Sequence, residues 1–212
     1  MDADDVRRRW ETLSGEYSPD YYAYYGPNET SERLREVIDS VVGPDGSVLE
    51  LGCSAGRHLA HLREGGYRNL SGIDLNEDSF DVMAEEYPEL EAEGTFYADS
   101  IAGRVGEFED GEFDVVYSVE TLQHVHPDEE WVFEEIARIA DELVVTVENE
   151  GGGSERDGAS TSGDGDGPAV NYVDEQMPLY YRNWRKIFTD LGLAEVETVS
   201  LERDTFRAFR RQ

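Results

Sequence analysis

The sequence predicts an α/β fold: a mainly parallel, seven-stranded sheet with helices on both faces, an antiparallel C-terminal strand and an N-terminal helical cap. Two observations predict it. Five short apolar runs between residues 47 and 148 alternate with amphipathic segments, the pattern of βαβ units. After a last helical segment, two more strand-like runs lie close enough in sequence to form a hairpin.

The elements follow in order. Residues 3–13 and 30–42 read as helices, with Thr30 or Ser31 capping the second and Gly43-Pro44 ending it. Between them lies a cluster of Tyr17, Tyr21, Tyr22, Tyr24 and Tyr25. Strands are expected at 47–52 (SVLELG), 69–74 (NLSGID), 94–98 (GTFYA), 113–119 (FDVVYSV) and 142–148 (ELVVTVE). Helices are expected at 55–65, 77–87 and 128–140, the last with Trp131, Val132, Ile136 and Ile139 on one stripe. The segment 151–168 (GGGSERDGASTSGDGDGP) has seven glycines, no aromatic and no aliphatic residue larger than Ala159. It reads as a mobile, solvated surface insertion rather than a lid. A helix over 178–191 is stopped by Gly192, and strands at 194–201 and 205–210 turn at Arg203-Asp204. One domain is expected over 1–212: a cap (1–43), a core (44–150), the loop (151–168) and a closing helix and hairpin (169–212).

Of 212 residues, 49 are Asp or Glu and only 18 Lys or Arg, a formal charge of −31. Seventeen of the basic residues are Arg, and Lys186 stands alone. This composition resembles the proteome style of salt-in haloarchaea. In dilute buffer such like charge repels itself, whereas molar salt shortens the Debye length to about 3 Å and screens it. Hydrophobic residues still make up 38% of the chain, so a folded core is expected rather than a disordered acidic tail. The acidity disfavours nucleic acid as a partner, since phosphate binding wants a basic footprint. No apolar run approaches the roughly 20 residues of a membrane span, and the N-terminus lacks a secretory h-region. A lone Cys53 excludes an internal disulfide framework. A soluble, cytoplasmic protein is expected.

The chemistry is concentrated at the ends of the expected strands. Val48-Leu49-Glu50-Leu51-Gly52-Cys53-Ser54-Ala55-Gly56 reads as a buried strand turning sharply into a helix. Its small residues let backbone approach a ligand, beside the free N–H groups of a helix start. A dinucleotide site wants G-x-G-x-x-G, and here Ser54 and Arg57 stand at the second and third glycine positions. A tight turn with no ligand would also have this composition. Asp74 ends the second strand, 22 residues after Gly52, where a carboxylate can accept ribose hydroxyls. Asp99 ends the third strand, and the candidate bases His124 and His126 follow the fourth.

In this order the pieces resemble the class I S-adenosylmethionine-dependent methyltransferases, over about residues 45–150. E-L-G-C-S-A-G resembles their motif I, with Ser54 in place of the middle glycine; S-G-I-D-L-N resembles motif II, and F-D-V-V-Y-S-V-E-T-L-Q-H-V motif IV. The resemblance implies a Rossmann-like sheet and S-adenosyl-L-methionine as cofactor. It implies contacts from Glu50, Gly52, Cys53, Ser54 and Gly56 in motif I, with Glu50 near the methionine portion. Asp74 and Leu75 would serve the ribose, Asp99, Ser100 and Ile101 the adenine, and Ser118 the strand-4 wall. W-E-T-L-S-G-E-Y resembles an N-terminal helix that caps the pocket, which makes Tyr17 and Tyr21 candidates to shelter the sulfonium. Packing of those rings against the sheet is the alternative.

His124, at the carboxyl end of a parallel strand, is the candidate general base; a structural histidine bonded to loop backbone is the alternative. A metal site from His124, His126 and Asp128 lacks further nearby ligands, so no metal is expected. The expected partner is a small molecule, because the strand-4 text lacks the Asn/Asp-Pro-Pro-Tyr/Phe and Pro-Cys signatures of nucleic-acid enzymes. Protein or RNA substrates, or a cofactor-binding sensor without turnover, are the alternatives.

Overall fold

A computed structural model describes residues 2–12, 18–151, 168–172 and 177–211. The N-terminal section is three helices: α1 (Ala3–Glu11), α2 (Pro19–Tyr25) and α3 (Glu29–Asp39). The core follows as β1 (Ser47–Leu51), α4 (Arg57–Glu64), β2 (Asn69–Asp74), α5 (Asp78–Glu86), α6 (Pro88–Glu93), β3 (Thr95–Ala98), α7 (Ile101–Arg104) and β4 (Phe113–Val119). It continues through a 3-10 turn at Leu122–His124 to α8 (Val132–Ile139) and β5 (Ala140–Glu148). A hairpin of β6 (Ala169–Tyr172) and β7 (Pro178–Tyr181), then α9 (Trp184–Asp190), β8 (Leu193–Ser200) and β9 (Thr205–Arg211), complete the described chain.

The main sheet has seven strands in the order β3-β2-β1-β4-β5-β9-β8. Pairings are parallel from β3 to β5, and β9 runs antiparallel to both of its neighbours. Strand order reverses between β1 and β4, which opens a crevice at their carboxyl ends, where ligands bind in open α/β sheets. Alternate residues of the central strands feed two apolar layers. Val48, Val115, Tyr117 and Val145 pack with α3–α6, while Leu49, Leu51, Val116 and Val144 pack with α8 and α9. No helix among the described residues is long and apolar enough to cross a membrane.

Several arginines are each shared between two carboxylates. Arg33 bridges Glu36 and Glu197, Arg63 bridges Glu89 and Glu93, Arg138 bridges Asp110 and Glu135, and Arg207 bridges Glu150 and Glu195.

Three expectations need correction. The helix expected over 178–191 begins as a strand: Pro178–Tyr181 pairs with Ala169–Tyr172, and the helix is confined to Trp184–Asp190 behind an Asn183 cap. Burial of Met177, Leu179 and Tyr180 holds that strand against the protein, a tertiary contact that the local pattern does not encode. The tyrosine cluster contains a helix of its own, α2, capped by Ser18 with Pro19 in its first turn. The α3 helix is capped by Asn28, not by Thr30 or Ser31; Ser31 answers as the third residue of a reciprocal capping box. Most of the glycine-rich insertion, 152–167, lies outside the described residues.

Candidate active site

The crevice is a cleft enclosing about 1230 Å³ including its open mouth, floored by the carboxyl ends of β1, β2, β3 and β4. Residues of α1 and α2, among them Val6, Trp10 and Tyr22, also line it.

The floor is set by the turn after β1. Gly52 has φ +71, and a Cβ there would lie 2.2 Å from the Thr121 hydroxyl, so only glycine fits between the β1 and β4 turns. Among the described residues, Ser54 and Glu120 are the non-glycines with positive φ, and both line the cleft. Strain of this kind gathers at binding sites. Asp74 ties the β1 and β2 ends together: Oδ2 accepts the Ser54 N–H at 2.7 Å and Oδ1 the Asn76 N–H at 2.9 Å. Burial raises its pKa, and those backbone donors oppose the rise. Asp99 accepts the Ser100 N–H at 2.7 Å.

Glu50 is buried in the sheet, where Tyr117 Oη donates to Oε2 at 2.9 Å. Burial outweighs that bond and pushes the carboxyl up to about 8. At neutral pH Glu50 therefore keeps its proton in most molecules.

The loop after β4 is held by a residue that sequence reasoning missed. Glu148, fully buried at the end of β5, accepts from Ser118 Oγ at 2.7 Å and from the N–H groups of Thr121, Leu122 and Gln123 at 3.1–3.3 Å. Its burial raises the carboxyl to about 7 against these four donors. The next residues form a relay that fixes the tautomer of His124. The Asn149 N–H donates to Gln123 Oε1 at 2.7 Å, which turns the Gln123 amide nitrogen toward His124 Nε2 at 3.4 Å. His124 Nδ1 lies 2.8 Å from the Pro178 carbonyl and must carry the hydrogen. Nε2 is thus the basic nitrogen, and burial lowers the imidazole pKa to about 4.

Of the residues singled out from sequence, Glu50, Gly52, Cys53, Ser54, Asp74, Leu75, Asp99, Ser100, Ile101 and His124 meet on this one cleft. Three others stand apart. Gly56 starts α4 at φ +80, where a Cβ would strike Leu90 and Met83. Ser118 is fully buried and spends its hydroxyl on Glu148. Tyr21 packs edge-on against Tyr22 and Tyr25, and its neighbour Tyr22 lines the cleft instead. Tyr17 lies outside the described residues. Sequence reasoning missed Arg57, and it read Trp10 only as part of the capping helix. Arg57 lies over the Tyr22 ring at 5.0 Å, and Trp10 stacks obliquely on His124 with ring centroids 4.7 Å apart.

Comparison with known proteins agrees with this geometry. Residues 48–142 match the family model described as a methyltransferase domain. The fold is that of the S-adenosylmethionine-dependent methyltransferases. The Burkholderia thailandensis 1,6-didemethyltoxoflavin-N1-methyltransferase, with 1,6-didemethyltoxoflavin and S-adenosylhomocysteine bound, superposes with a TM-score of 0.66 at 15% identity, over 87% of this chain and 77% of that one. The Synechocystis magnesium protoporphyrin IX methyltransferase with bound SAM gives 0.61 at 17% identity, over 99% and 90%. The Streptomyces coelicolor geranyl diphosphate C-methyltransferase gives 0.66 at 13%, over 99% and 98%. No curated protein matches the sequence.

Proposed function

We propose that the protein is an S-adenosylmethionine-dependent methyltransferase acting on a small molecule. The observation that carries this reading is the meeting of the glycine turn, Asp74 and Asp99 on one cleft at the β1/β4 reversal. Asp74 holds the ribose: the Asn76 N–H and the Ser79 hydroxyl fix Oδ1, the Ser54 N–H fixes Oδ2, and Oδ2 keeps a lone pair for a hydroxyl. Asp99 takes the adenine amino group, with Leu75, Ser100 and Ile101 beside the base. Gly52, Cys53 and Ser54 admit the methionine portion next to Glu50, and Arg57 answers its carboxylate.

The bound cofactor supplies a methyl group on a cationic sulfur, open to in-line displacement. What remains for the chain is to hold the acceptor atom on that line and keep water out. Val6, Trp10 and Tyr22 wall the cleft mouth, a frame suited to a small acceptor. His124, neutral at pH 7, receives an acceptor O–H or N–H at Nε2 by displacing the long Gln123 amide contact at 3.4 Å, and so aims the acceptor's lone pair. Its low pKa is no obstacle, because an oxygen that has gained a methyl becomes strongly acidic and gives up its proton to a weak base. The acidic composition supports a high-salt cytoplasm as the working environment.

Titration calorimetry in molar potassium chloride tests the reading. S-adenosylmethionine and S-adenosylhomocysteine are expected to bind and NAD is not. Binding of NAD alone would overturn the assignment. Binding of both sulfur nucleosides, with no methyl transfer to any metabolite extract, would leave a sensor.

A further inference from the structure

The Trp10 indole has an N–H that is shielded from solvent and has no hydrogen-bond partner among the described residues. Such a donor is costly to leave unmade, at about 1–3 kcal/mol, and a buried Trp N–H ordinarily finds an acceptor. Trp10 lines the cleft and touches the ring of His124, whose Nε2 is an acceptor met by the long Gln123 amide contact at 3.4 Å, which a ligand donor can displace. The two side chains therefore offer opposite polarity side by side: one donor and one acceptor. Around them the wall is apolar, with Val6, Ile101, Val125 and Val132.

Charge on the α1 side of the cleft is already paired, and Glu120, also on the lining, shares a hydrogen bond with Asp204. Arg7, on α1, is paired with both Asp4 and Glu129. An anionic acceptor would have to draw Arg7 away from two carboxylates, and a cationic one would have to draw Glu129 away from Arg7. Either exchange costs desolvation of partly buried ions. Arg57 stands at the start of α4 beside the glycine turn, on the side that the proposed function gives to the cofactor.

We infer that the methyl acceptor is an uncharged, mainly apolar molecule with a bare hydrogen-bond acceptor for Trp10 Nε1 beside the O–H or N–H that His124 Nε2 receives. This rests on the methyltransferase reading and narrows it to a class of substrate. Phosphorylated and carboxylated acceptors are excluded by it, as are protonated amines.

The experiment has two stages. S-adenosylhomocysteine is first titrated into the wild-type protein; failure to bind would remove the methyltransferase reading itself and this inference with it. The loaded protein is then titrated with four bicyclic probes: 6-hydroxyquinoline, 2-naphthol, 2-naphthyl phosphate and 2-naphthylmethylamine. The two neutral probes are expected to bind more tightly than the charged ones, and the hydroxyquinoline about tenfold more tightly than the naphthol, the worth of one hydrogen bond. In Trp10→Phe that tenfold preference should vanish while affinity for S-adenosylhomocysteine stays within about twofold. A variant that merely folded poorly would lose both neutral probes and the nucleoside together, so Trp10→Tyr, which restores a donor, is run beside it and should recover part of the preference. The inference is overturned if a charged probe binds best, if no neutral probe binds, or if the preference survives in Trp10→Phe. It is also overturned if Trp10→Phe weakens the nucleoside alone, since the indole N–H would then serve the cofactor.

Discussion

Asp74 joins two loops of the site: it fixes the β1 turn through Ser54 and the start of the next loop through Asn76 while facing the cleft. Asp74→Ala should weaken S-adenosylmethionine by about 1–3 kcal/mol, the scale of hydrogen bonds to a charged group, as read by calorimetry. Unchanged affinity would move the ribose elsewhere. Glu50 makes a different prediction. Its carboxyl titrates near 8 in the folded protein against an ordinary value of 4.5. Between those values the unfolded chain has lost the proton and the folded one has kept it, so stability falls as pH rises through the window. The slope reaches about 1.4 kcal/mol per pH unit for one group. Glu50→Gln keeps an acceptor for Tyr117 and should flatten the decline in urea midpoint between pH 5 and pH 8; an identical slope would mean that Glu50 is ionised. Much of this residue-level chemistry is legible in sequence, because motif spacing puts Asp74 and Asp99 at strand ends. The cap motif signals Trp10 but not its contact with His124, and Arg57 and Glu148 are not legible, since these roles depend on packing between segments far apart in the chain.

At the scale of elements, the loop after β4 is attached to β5 through one carboxylate. Glu148 gathers a hydroxyl and three backbone N–H groups, and the turn that it holds carries Gln123 and His124. Glu148→Gln replaces one acceptor oxygen by an N–H₂ facing donors, which costs about 1–3 kcal/mol. The melting temperature should fall by about 2–4 °C for each kcal/mol lost. Turnover should drop by about tenfold with cofactor affinity nearly unchanged, as one misplaced orienting group predicts. Equal losses in turnover and cofactor affinity would make Glu148 a general scaffold residue. The strands that frame this loop are readable from sequence as continuous apolar runs, since a central parallel strand is buried on both faces. The β6–β7 hairpin is not. Pro178-Leu179-Tyr180-Tyr181 reads equally well as a helix start with proline in its first turn, and only the partner strand and the bond from His124 to the Pro178 carbonyl decide for extension.

For the molecule as a whole, the governing quantity is the charge of −31. Its self-repulsion opposes compaction in dilute buffer and is screened in concentrated salt. Thermal midpoints measured from 0.1 M to 3 M potassium chloride should rise steadily, and a flat response would detach the composition from any salt requirement. The arginine bridges between paired acids carry a second consequence, concerning which substitutions such a chain can absorb. Where Arg207 spans Glu150 and Glu195, deleting either acid leaves the guanidinium anchored by the other. Deleting the arginine instead strands two like charges next to each other in a molecule with almost no spare cations. Tolerance at such a bridge is therefore lopsided: either acid of the pair is expendable, and the arginine that joins them is not.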